Sequence, residues 1–93
     1  MNLQDVIKDP TTVVVDVRTP AEFAGGNVVG SLNIPLNELP QRMDELKQQS
    51  NQIVLCCASG MRSANAEAFL RQQGLSNVHN GGAWVDVNYL KNN

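Results

Sequence analysis

The chain has 93 residues, which suits one domain with a single modest core. Seven Lys+Arg against nine Asp+Glu give a net charge of -2, without the basic footprint of a nucleic-acid binder. Charged residues are only 17%, with Asn and Gln supplying much of the remaining polarity, and no apolar run approaches the roughly 18 residues of a membrane span.

At the start, Met1–Leu3 runs into Gln4–Asp5 with no basic stretch followed by an apolar one. The expected compartment is therefore cytoplasmic, or periplasmic if a leader has been removed. The β-branched run Thr12–Val17 predicts a strand covered on both faces, as in a parallel sheet. Thr19 and Pro20 then mark the cap and first turn of a short helix over Pro20–Ala24, which Gly25-Gly26 ends. Leu32–Ile34 reads as a short strand near the sheet edge, closed by Pro35. Leu36, Leu39, Met43 and Leu46 recur at spacings of three and four, which predicts an amphipathic helix through about Gln49. Ile53–Cys56 is the second strong buried strand. A helix follows from about Arg62 to Gln73, ended by Gly74. Val78–His79 is a brief strand, and Gly81-Gly82 leads into a last helix carrying Trp84, Val87 and Leu90. Strands alternating with helices call for right-handed crossovers and a parallel sheet with helices on both faces. The fold class is α/β, with residues 1–93 as a single domain.

The segment Cys56-Cys57-Ala58-Ser59-Gly60-Met61-Arg62-Ser63 lies between a buried strand and a helix. Ligands of open α/β sheets bind beyond the carboxyl ends of the strands, which is where this segment falls. Small residues at 58–60 let successive N–H groups turn inward, and the next helix adds its positive end. A cysteine at the mouth of such a nest has a depressed pKa, and Cys57 is placed for it. Arg62 can supply charge-assisted hydrogen bonds to the thiolate or to a bound group. Ser59 and Ser63 add hydroxyls that serve either chemistry or the loop backbone. Cys56 is expected to finish the strand as a small buried hydrophobe. Adjacent cysteines form no ordinary disulfide, and with one histidine, His79, the chain is poorly supplied for a metal site. No metal or cofactor is expected. His79 reads as a local hydrogen-bonding residue, and Trp84 as a core or lid aromatic.

The segment Cys57–Ser63 resembles the active-site loop of the rhodanese family: a cysteine, four residues, then arginine and serine. Asp16-Val17-Arg18-Thr19-Pro20-Ala21-Glu22-Phe23, followed by Gly26–Pro35, is similar to the family's first signature, and Asn77–Gly82 to its last strand and turn. The resemblance runs from about residue 12 to residue 85. It implies a three-layer domain with four or five parallel strands, and a thiosulfate sulfurtransferase that works through a covalent cysteine persulfide. Cys57 would take a sulfane sulfur from a small anionic donor such as thiosulfate. Cyanide or a thiol, including a protein sulfur acceptor, would then receive it. Amides of Ala58, Ser59, Gly60, Met61 and Arg62 would cradle the persulfide, with Ser63 at the loop's end and Arg62 closing it.

Two positions depart from the family pattern. Asn27 stands where many relatives have histidine, and Met61 where several thiosulfate-using relatives have a basic residue. Asp16 and Arg18 are expected to support the loop, Asp16 by holding backbone or Arg62, and Arg18 by pairing with Glu22. Two other functions remain open at this level. A persulfide relay or sulfur carrier with low thiosulfate turnover suits Met61 and the amide-rich surface. A cysteine phosphatase or arsenate reductase would resemble a branch whose loop is one residue longer, and no aspartate is obviously placed as its general acid, with Asp16 and Asp86 the two left open.

Overall fold

The computed structural model describes residues 2–93. Four strands form one sheet: β1 (Val13–Asp16), β2 (Leu32–Asn33), β3 (Ile53–Cys57) and β4 (Val78–Ala83). All neighbours are parallel and the order is β2-β1-β3-β4, so the two strands richest in β-branched and apolar residues are central. The two-residue β2 lies at the edge, as its length predicts.

Helices cover both faces, as parallel crossovers require. Period-two alternation splits the core. Val15, Val17, Ile53, Leu55 and Cys57 face α3 (Leu39–Lys47) and α4 (Met61–Gln72), against Leu39, Leu46, Ala66 and Leu70. Val14, Val54 and Cys56 face the other way, against Val6 and Ile7 of α1 (Leu3–Lys8) and Val87 of α5 (Trp84–Lys91). A short 3-10 turn at Leu36–Glu38 leads into α3, and α2 (Pro20–Ala24) follows β1.

The first helix, α1, is not foreseen in the sequence reading. Six residues are too few for a strong helical period, so tertiary burial of Val6 and Ile7 and a local cap decide it. The Asn2 side chain accepts the Asp5 amide at 2.9 Å. Strand β4 is also longer than the expected Val78–His79. Its register against β3 skips Gly81, which makes a bulge between Leu55 and Cys56. A Cβ on Gly81 would lie 2.6 Å from Val54 Cγ1 and 2.9 Å from Val87 Cγ2, so packing admits only glycine there.

Candidate active site

The site forms where β3 ends and α4 begins. Cys57 is the last strand residue, and Gly60 adopts φ +101°, a turn that L side chains strongly resist. The turn folds the loop back over the sulfur. The Gly60 amide donates to Cys57 Sγ at 3.0 Å and the Ser63 amide at 3.4 Å, while the Ser63 hydroxyl lies 3.4 Å away. Cys57 is only 1% exposed. That burial pushes the thiol up most strongly. The Ser63 hydroxyl and the amides of Ser63, Gly60 and Ser59 together outweigh it and leave the pKa below the ordinary value.

Cys56, one residue earlier, has the opposite character. It sits fully buried in the apolar cluster under α1 and α5, and burial first, then the nearby Asp16 carboxylate, pushes its pKa up to about 12. It is a structural thiol, as the strand pattern predicts.

Ser63 is fully buried and holds more than the sulfur. Its hydroxyl is 2.6 Å from Asn80 Oδ1 and 3.2 Å from the Gly60 carbonyl. Asn80 Oδ1 also accepts the Gly82 amide at 2.9 Å, and Asn80 Nδ2 donates to the Gly60 carbonyl at 3.2 Å. Strand β4 thereby ties down the loop of β3. Sequence reasoning gives Asn80 no role; its traces are a polar residue immediately before Gly81-Gly82 and its place in the Asn77–Gly82 segment that carries the resemblance.

Asp16 and Arg18 form a closed unit beside the loop. Arg18 Nη2 lies 2.7 Å from Asp16 Oδ2, its Nε donates to the same carboxylate, and both side chains are buried. Arg18 also donates to the carbonyls of Gly26, at 2.7 Å, and Glu22, at 3.3 Å. Its guanidinium stacks 4.7 Å from the Trp84 ring centroid. These contacts fix the α2 turn to the sheet. Asp16 does hold backbone, accepting the Arg18 amide at 3.0 Å, but the expected ion pairs are corrected: Asp16 pairs with Arg18 and not with Arg62, and of Glu22 Arg18 reaches only the backbone carbonyl. A carboxylate so engaged is poorly suited to the general acid that a phosphatase needs. Trp84 is half-buried against the core and acts as the lid of Arg18.

The Glu22 carboxylate instead binds Arg62. Nη1 and Nη2 reach Oε1 and Oε2 at 2.8 and 2.9 Å, joining residues 40 apart in sequence. Arg62 makes no hydrogen bond to Cys57, so its direct closing of the cradle, as the resemblance implies, is absent from this arrangement. The Arg62 hydrogen bonds, followed by the Thr19 amide, hold the Glu22 pKa down at about 2. Glu22 is thus the second functional candidate absent from the sequence reading, where its i+4 spacing from Arg18 points to the nearer arginine. Ala58 and Ser59 span the loop, and Met61 stands 76% exposed at the first turn of α4. Asn27 caps the end of α2 by donating to the Phe23 carbonyl at 2.9 Å, and His79 bonds Gln52 at 2.5 Å, a local contact.

Comparison with known proteins agrees with this architecture. The family model for the rhodanese-like domain matches residues 2–83. The chain is 43% identical to a sulfurtransferase of Allochromatium vinosum over 77 residues, covering 78% of this chain and 71% of that one. It is 32% identical to the thiosulfate sulfurtransferase PspE of Escherichia coli, with the same coverage of 78% and 71%. The crystal structure of a rhodanese-related protein from Thermoplasma volcanium superposes with a TM-score of 0.74 at 34% identity, covering 85% of this chain and 77% of that one. The chain belongs to the rhodanese family, and a buried, hydrogen-bonded Cys57 is consistent with that family's sulfur-transfer chemistry. No helix among the described residues is long and apolar enough to cross a membrane.

Proposed function

We propose that residues 1–93 act as a single rhodanese-like domain, a sulfurtransferase that carries sulfane sulfur on Cys57. The observation that carries this reading is the Cys57 sulfur held by the amides of Gly60 and Ser63 at the start of a helix. Inward N–H groups favour the thiolate, which is the nucleophile, and can stabilise the persulfide anion that follows. With thiosulfate as donor, Cys57 Sγ bonds to the outer sulfur while the bond from that sulfur to the sulfonate breaks. Sulfite leaves with the electron pair, and Cys57 is left as a persulfide. A nucleophilic acceptor such as cyanide or a thiol then attacks the terminal sulfur, and the Cys57 thiolate is released.

Intact-mass measurement tests the reading. Thiosulfate should add about 32 Da, one sulfur atom, to the chain. The adduct should vanish in Cys57→Ser and persist in Cys56→Ser. An adduct that survives Cys57→Ser rules the assignment out.

A second reading is supported by the mouth of the site: a persulfide relay delivering sulfur to a protein thiol. Met61 is apolar and exposed there, and Arg62 is already bound to Glu22. Faster discharge of the loaded chain by a protein thiol than by cyanide favours the relay, and the reverse favours the free enzyme.

A further inference from the structure

The cations of this chain are unevenly placed. Lys8, Lys47 and Arg71 end or nearly end helices that lead into β1, β3 and β4, so they sit at the amino end of the sheet. Lys91 reaches the same end, where its Nζ lies 3.4 Å from the Asp9 carbonyl. The carboxyl end, where Cys57 lies, holds Arg18, Arg42 and Arg62, and each is ion-paired. Arg18 is bound to Asp16, Arg42 to Glu38 and Glu45, and Arg62 to Glu22. Among the described residues, the mouth of the cradle therefore carries no guanidinium free of a carboxylate.

Of these three, Arg62 belongs to the Cys57 loop. Its fork is filled on both arms by Glu22, and the pair is partly solvent-exposed, at 35% and 37% for the two side chains. Glu22 is the main cause of Arg62 being held more firmly protonated, and the Cys57 charge adds a smaller share, so guanidinium and sulfur lie in one field. Any anionic substrate drawn to Arg62 must compete with a carboxylate already in place. Glu22 is itself well anchored. Its Oε1 accepts the Thr19 amide at 3.1 Å, and Thr19 caps α2 in return.

We infer that Glu22 sets the charge preference of the site: as an internal anion on Arg62, it biases the Cys57 cradle against dianionic donors and toward singly charged organic persulfides. This rests on the sulfur-transfer reading. The step is balanced for such a donor, R–S–S⁻. Cys57 Sγ bonds to the terminal sulfur, the original S–S bond breaks, and RS⁻ leaves with the electron pair. The loop amides hold the new persulfide, and exposed Met61 offers the R group an apolar contact in place of a charge.

The experiment reads the field directly, with two alkylating probes of similar size, anionic iodoacetate and neutral iodoacetamide, on the full chain. The Cys57 rate ratio of iodoacetate to iodoacetamide should rise roughly fivefold in Glu22→Gln, the effect of removing one partly exposed unit charge from the Arg62 guanidinium. Glutamine keeps an acceptor for the Thr19 amide, and circular dichroism checks the fold. Arg62→Gln should move the ratio the opposite way, and the double variant should return it near the wild-type value. The Glu22→Gln gain should shrink in 1 M salt. Sulfur loading should follow the same order, with thiosulfate gaining on the monoanionic 2-hydroxyethyl persulfide in Glu22→Gln. An unchanged alkylation ratio in folded Glu22→Gln, or a double variant as high as Glu22→Gln alone, overturns the role of Glu22 while leaving sulfur transfer intact. Failure of both donors to load wild-type Cys57 overturns the sulfur-transfer reading and the donor preference with it.

Discussion

Cys56 and Cys57 are covalent neighbours with opposite fates. Cys56 points into the apolar layer under α1 and α5, and its pKa is pushed up to about 12. Cys57 points to the α3 and α4 side, equally buried, yet its pKa is lowered. Burial pushes both thiols up, and only at Cys57 do hydrogen-bond donors outweigh it: the loop aims the Gly60 and Ser63 amides at that sulfur, and the Cys56 sulfur faces hydrocarbon. A single step along a strand changes the face, and the face decides whether a thiol is a nucleophile or a filler.

The sharpest way to break this comparison is by alkylation. At neutral pH, Cys57→Ser should leave the folded chain unreactive toward iodoacetamide, because Cys56, with its pKa pushed up to about 12, stays a neutral thiol. Cys56→Ser should keep wild-type reactivity but lose about 1–3 kcal/mol of stability, the cost of placing a hydroxyl among apolar side chains without a partner. Chemical denaturation measures that loss. A larger stability effect is expected next to the pair. Asp16→Ala strands the buried Arg18 guanidinium and should cost about 3–5 kcal/mol. That is a large fraction of the total for a domain of this size, so the melting temperature should fall steeply. Such a loss would show that Asp16 and Arg18 act by holding the α2 turn in place rather than by touching substrate.

The alternation that separates the two cysteines is legible in the sequence, because Ile53–Cys56 reads as strand and period two follows. The parallel sheet with helices on both faces is legible as well, since strands alternate with helices, whereas the resemblance leaves four or five strands open and the order β2-β1-β3-β4 comes from the structure. Pairings across the chain are harder to read. Arg18 and Glu22 stand four residues apart, and local spacing alone favours their union. The structure puts Glu22 on Arg62, 40 residues on, because β1 and β3 are adjacent and both end at the same edge. Asn80 is hidden for a similar reason. Its partners, Ser63 and Gly60, lie 17 and 20 residues earlier, at the far end of the α4 crossover, and only the register of β4 on β3 brings them together.

Ser63 sharpens the comparison at the level of one hydrogen. Its hydroxyl has a single proton, with Asn80 Oδ1 at 2.6 Å, the Gly60 carbonyl at 3.2 Å and Cys57 Sγ at 3.4 Å. Ser63→Ala keeps the Ser63-position amide on the sulfur but removes the hydroxyl. Cys57 should then titrate higher, and alkylation at neutral pH should slow about fivefold, the worth of one ordinary hydrogen bond. The pH–rate profile should move to higher pH while the plateau rate changes little. A profile unmoved by the substitution would leave the amides as the whole cause of the lowered pKa.

The smallest expected effect concerns Glu22 in acid. Its pKa is about 2 in the folded chain, held there chiefly by Arg62, against an ordinary 4.5 for the unfolded chain. Between these values the unfolded chain binds more protons, so stability rises with pH. The contribution is fully present above about pH 4.5 and drains away as pH falls toward 2. The pair is partly exposed, so solvent and salt screen it and the effect is small. Glu22→Gln should flatten the stability curve across that acid window and leave its slope unchanged above it. Asp16 gives the contrast, because its partner is buried and salt should not reach it. Added salt should erase the Glu22 difference and leave the Asp16→Ala loss standing, which separates a tunable surface pair from a fixed interior one.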